Sequence, residues 1–191
     1  MDKSGIVIAG VGGQGSLLTS RIIGEVAIKN GCDVKVSEVH GMSQRGGSVI
    51  TYVKFDKTAV YSPIIDPGCA DIVLSFELLE AYRCVSFLKK GGLMVVNTRE
   101  VNPMPVITGA AKFPSDIIKK IEGLGIKTDA MDATLLAKQA GALVSVNIVM
   151  VGRLAKHFDF DKSIWTDTIK EIVKKDFVDI NIKAFELGYG A

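Results

Sequence analysis

The hexapeptide Gly10-Val11-Gly12-Gly13-Gln14-Gly15 constrains this chain most, because of what stands on either side of it. Before it, residues 4–9 form a short continuous apolar run, the pattern of a buried strand. After it, Leu18, Ile22 and Val26 recur at helical spacing, and Gly31 supplies a stop. A strand that turns at once into a helix leaves little room at the corner, and glycine tolerates both the crowding and a positive φ. The same corner turns backbone N–H groups and the positive end of a helix dipole toward one point, which suits an anion. Val34, Val36 and Val39 then mark a second strand, so the chain opens as strand, glycine turn, helix, strand.

The rest of the sequence continues this alternation. Residues 48–55 alternate as a strand, with a reversal at Asp56-Lys57 and a short extension expected at 59–61. Residues 70–76 read as another strand, and 77–90 as an amphipathic helix closed by Gly91-Gly92. Residues 93–97 form a further buried strand. The proline-bearing stretch 98–114 reads as loop, with a short strand expected at 106–108. Ser115 or Asp116 is placed to cap a helix through Glu122, and 126–131 return to the sheet. From Asp132 the pattern is helical almost to the end. The expected fold is therefore α/β: a Rossmann-like open sheet, mostly parallel, with helices on both faces and a helical C-terminal portion. Residues 1–191 read as a single domain, with no repeat or linker.

Composition narrows the function classes. Lys plus Arg number 23 against 21 Asp plus Glu, a net charge of +2, which argues against a nucleic-acid binder. Neither charge-free stretch, 4–20 nor 139–152, reads as a signal or a membrane anchor, so a cytoplasmic protein is expected. Cys32, Cys69 and Cys84 are scattered with no Cys-x-x-Cys, so no iron–sulfur or zinc site is expected from this chain alone. Aliphatic, aromatic and cysteine residues make up 48%, and 20 glycines add to them, above the ~45–50% usual for a soluble domain. Such a surplus fits a buried Val/Ile-rich sheet and also a face covered by a partner. Residues 142–151 and the 164–173 face are the stretches expected to expose it.

The glycine hexapeptide matches the dinucleotide fingerprint, and Glu38 stands about 20 residues on, where a ribose-binding acid is expected. A stand-alone dinucleotide-binding oxidoreductase is thus one reading. Another is a scaffold in which the glycines only pack. A third arises from His40-Gly41-Met42-Ser43-Gln44-Arg45-Gly46-Gly47-Ser48, which stands where a crossover helix would be usual. It sets a guanidinium among small residues able to offer N–H donors, an anion-recognition composition. His40 and His157 are far apart and support no histidine metal site, and Ser16 lacks the partners of a nucleophile. Asp71 and Glu77 read as helix caps. Asn147, inside an apolar helix, must brace a loop or meet another subunit.

Together, GVGGQG and EVHGMSQRGGS resemble the small-subunit family of indolepyruvate:ferredoxin oxidoreductase, the gamma-type piece of the 2-oxoacid:ferredoxin oxidoreductases. The resemblance runs along essentially the whole chain and includes Asn147 and Gly152. It implies a complex that converts an arylpyruvate and coenzyme A to an aryl-acetyl-CoA and carbon dioxide, passing electrons to ferredoxin. It implies a larger partner subunit that holds thiamine diphosphate, Mg2+ and 4Fe–4S clusters, none of them bound by this chain alone. It also implies that Gly10, Gly12, Gly13, Gly15, Ser43, Gln44, Arg45, Gly46 and Gly47 face a cofactor or coenzyme A, with no catalytic residue here.

Overall fold

The structure, a computed structural model, describes residues 3–41 and 46–191. Strand β1 (Lys3–Val11) leads through the glycine turn into helix α1 (Ser16–Lys29), followed by β2 (Asp33–His40) and β3 (Ser48–Asp56). Then come β4 (Ala70–Ser75), α2 (Leu78–Arg83), β5 (Leu88–Asn97), α3 (Met104–Ile107), α4 (Ile117–Gly123) and β6 (Lys127–Met131). The C-terminal portion is α5 (Ala133–Ala140), α6 (Val146–Ala155), α7 (Lys162–Ile172) and α8 (Val178–Gly190). The strands form one sheet in the order β2-β3-β1-β4-β5-β6. β3 alone runs against the others, antiparallel to both β1 and β2, while β1, β4, β5 and β6 pair in parallel.

Alternation along β1 explains the layering. Ile6 and Ile8 face one side of the sheet and Val7 and Ala9 the other, all four fully buried. Helices α1, α5, α6, α7 and α8 cover the first face and α2 and α4 the second. Helices on both faces of a mainly parallel sheet are the expected solution for strands with two apolar sides.

Four local expectations are corrected. The opening βαβ unit is split, because β3 inserts between β1 and β2 as the second arm of a hairpin, with His40 opposite Val49. The helix expected over 77–90 ends at Arg83; after a 3-10 turn, residues from Leu88 join β5, where Ala70 pairs with Leu88 and Ile72 with Leu93. Gly91-Gly92 thus lie within the strand, at an irregularity in its pairing, because strand addition to β4 outweighs local helical periodicity. Residues 106–108 do not form a strand: Met104–Ile107 form the one-turn α3, with Pro105 in its first turn, where its missing N–H is not needed. Residues 59–61 cross the sheet end without pairing.

The expected apolar face of the C-terminal helices is also corrected. Within 142–151, Ile148, Val149, Met150 and Val151 are fully buried in the core, as are Trp165 and Ile169 of α7. What stays exposed is Leu143 and Val144, in the turn before α6. Gly152 and Gly188 make the inward packing possible. A Cβ on Gly188 would lie 1.9 Å from the Val149 carbonyl oxygen, and one on Gly152 2.2 Å from that of Phe185. Helices α6 and α8 therefore touch backbone to backbone.

Candidate functional site

The glycine turn sits at the carboxyl edge of the parallel strands, where open α/β sheets bind ligands. Gly10 is buried, and a Cβ there would meet the Gln14 side chain at 2.6 Å and Phe76 at 3.1 Å, so its part is close packing. Gln14 folds back to accept the Val11 N–H at 2.9 Å, and Gly12 donates to the Gly47 carbonyl at 2.9 Å. Gly13 and Gly15 take positive φ values of 96° and 88°, which glycine adopts without strain. No hydrogen bond among the described residues uses their N–H groups. No side chain caps α1, and its first turn carries no acid, so its positive end stays open. From behind, Asn147 packs on the turn; a Cβ on Gly15 would come within 2.7 Å of its side-chain nitrogen. Asn147 thus packs against a loop, the contact that the first of its two expected roles calls for.

Of the cavities that border the turn, two carry opposite charge. One, about 420 Å³, is lined by Gly12, Gly13, Gly15, Ser16, Glu38 and His40 among others. Glu38 accepts hydrogen bonds from the Ser16 hydroxyl at 2.9 Å and the Thr51 hydroxyl at 3.0 Å. Both bonds fall on the same carboxylate oxygen, Oε2. The other, about 260 Å³, lies between Gly13, Gln14 and Gly15 on one side and Phe76, Leu143, Val144 and Val146 on the other, with Arg99 at its edge. Among the described residues no carboxylate pairs with Arg99, while its backbone carbonyl is held by the Leu78 N–H at 2.9 Å. A larger cavity of about 540 Å³ occupies the opposite end of the sheet, near Lys3, Asp71 and Lys89, away from the turn.

Of the residues singled out from the sequence, the structure brings together Gly12, Gly13, Gly15 and Gly47. Gly46 is an exposed turn residue with φ 74°. Ser43, Gln44 and Arg45 lie outside the described residues. Gly47 and the glycine turn meet because β3 starts where β1 ends, Val11 opposite Ser48. Arg99 escaped the sequence reading, although its place just beyond the carboxyl end of β5 could have flagged it. Glu77 caps α2 as expected, and burial pushes its carboxyl up. Asp71 is no cap: it lies within β4 and accepts the Gly5 N–H at 2.7 Å. Cys32 and Cys84 are buried, and burial pushes the Cys84 thiol up to about 12, far from a reactive thiolate. Among the described residues no three His, Cys, Asp or Glu side chains stand together as metal ligands. None of the described helices is long and apolar enough to cross a membrane.

A mainly parallel sheet whose hairpin strand returns onto an open glycine turn defines an α/β chain with its candidate site at the carboxyl edge of the sheet. The profile of the pyruvate ferredoxin/flavodoxin oxidoreductase family matches residues 5–191, and the chain belongs to that family. It is 44% identical to the indolepyruvate oxidoreductase subunit IorB of Thermococcus kodakarensis, over 100% of this chain and 96% of that protein. The IorB subunit of Archaeoglobus fulgidus is 38% identical over 96% of this chain and 92% of that protein. In fold, the chain is similar to a keto/oxoacid ferredoxin oxidoreductase gamma subunit from Geobacter sulfurreducens (TM-score 0.72, 24% identity, covering 98% and 96% of the two chains).

Proposed function

We propose that this chain, acting as one gamma-type domain, is the small subunit of a cytoplasmic, ferredoxin-dependent complex. That complex oxidatively decarboxylates arylpyruvates of the indolepyruvate type to aryl-acetyl-CoA. The observation that carries the reading is the 44% identity, end to end, with a protein named as an indolepyruvate oxidoreductase subunit. Thiamine diphosphate with Mg2+ supplies the carbanion chemistry and 4Fe–4S clusters the electron path when bound. The described residues of this chain form no ligand set for a cluster, so these groups are assigned to the larger partner subunit.

The part of this chain is to hold and orient an anionic group, a coenzyme A phosphate or the substrate carboxylate, at the subunit junction. Gly12, Gly13 and Gly15 offer the turn, Gly47 lies against it by accepting the Gly12 N–H, and Ser43, Gln44, Arg45 and Gly46 directly precede Gly47 in the chain. Arg99 adds a guanidinium that no described carboxylate occupies. An anion gains from the Arg99 side and is repelled by Glu38 on the other.

Co-expression with the catalytic subunit tests this. The pair is expected to reduce ferredoxin with indolepyruvate and coenzyme A, and neither chain alone to do so. Arg45→Lys keeps the charge but loses the fork, and should already slow turnover. Arg45→Ala in an assembled complex should cost about 2–5 kcal/mol. Micromolar binding of NAD by the isolated chain in calorimetry, with no coenzyme A-dependent activity of the pair, would replace this reading with a dinucleotide enzyme.

A further inference from the structure

Helix α2 carries two buried carboxylates, and only one of them is needed by the helix. Glu77 accepts the N–H groups of Leu79 and Glu80, which completes the cap. Glu80, 1% exposed, points elsewhere. One of its oxygens accepts the Ser48 hydroxyl, 32 residues earlier in the chain, and the other accepts Arg83. Ser48 opens β3 directly after Gly46 and Gly47, and the Gly47 carbonyl receives the Gly12 N–H at 2.9 Å. Glu80, Ser48, Gly47 and Gly12 thus form one continuous line from the helix under the sheet to the glycine turn. A carboxylate taken out of water is costly where apolar packing would serve, and its gain is a fixed direction for its donors.

We propose that Glu80 is a positioning residue: through Ser48 it holds the 46–48 segment against Gly12 and so sets the glycine turn in its ligand-binding geometry. The inference rests on the reading of the turn as an anion site. It concerns a residue that touches no ligand.

The test uses the reconstituted two-subunit enzyme, with coenzyme A and indolepyruvate varied separately. Ser48→Ala and the isosteric Glu80→Gln are each expected to raise the KM of one of these anions about tenfold while kcat stays within about twofold. Ser48→Thr, which keeps the hydroxyl, should restore the KM. The two losses should not multiply in the double variant, because both cut the same line. Gly13→Ala and Arg99→Ala serve as controls on the site itself. If these controls raise the KM while Ser48→Ala and Glu80→Gln leave it unchanged, the positioning role is overturned and the site stands. If all four leave both constants unchanged, the site reading falls and this inference with it. A drop in melting temperature alone, with both KM values intact, would mark Glu80 as a fold residue and likewise overturn the proposal.

Discussion

Asp129, on the edge strand β6, ties the sheet to α6. It accepts Arg153 at 2.6 Å and His157 at 2.7 Å and is mostly buried. Burial alone would raise its carboxyl, but the bonds from Arg153 and His157 outweigh that and hold it below the usual carboxylate range. A depressed carboxylate contributes stability above its unfolded pKa of about 4 and loses it as pH falls through the lower folded value. Asp129→Asn should therefore cost about 2 kcal/mol in urea denaturation at pH 7, a cost that shrinks below pH ~4. A penalty that stays constant down to pH 3 would show that the charge is not what matters. At this scale the sequence exposed the residues fixed by local geometry. Gly12, Gly13 and Gly15 stand out because a corner demands them, and Glu77 because a cap lies next to its helix. Arg99, Thr51 and Glu80 do not, since each acquires its meaning from a strand or helix far away along the chain.

The α6–α8 contact is set by two glycines, and it makes a sharp expectation. Gly188→Ala forces a methyl onto the Val149 carbonyl and should destabilise the chain by about 3 kcal/mol in urea denaturation. Gly190→Ala, which meets nothing within 4 Å, should change stability by less than about 0.5 kcal/mol. Equal effects from the two would mean that the helices yield freely. Elements with one dominant period were legible from sequence: β1, α1, β4 and the helices after Asp132. The stretch 84–92 was not, because its helix-like spacing competes with an open strand edge on β4 that only the assembled sheet presents. The reversal of β3 was hidden for a related reason. Alternation identifies a strand but carries no sign of its direction.

Seen whole, the molecule gathers some of its exposed large apolar side chains around the glycine turn. Leu17, Leu143, Val144 and Phe177 are each at least half exposed, and each lines a cavity next to Gly15 or Gly13. On the proposed function, the catalytic subunit covers this rim. Val144→Glu, at a side chain 83% exposed, should weaken subunit association at least ~10-fold by titration and leave the melting temperature of the isolated chain unchanged. Undiminished association would put the junction elsewhere.

The glycine seat between α6 and α8 has a mechanical side. Where two backbones touch, no side chain stands between them to rotate and absorb a displacement. Asn147, in the first turn of α6, lies directly under Gly15. The last helix and the glycine turn are therefore joined through one helix, with Val149 against Gly188 on one side of it and Asn147 against Gly15 on the other.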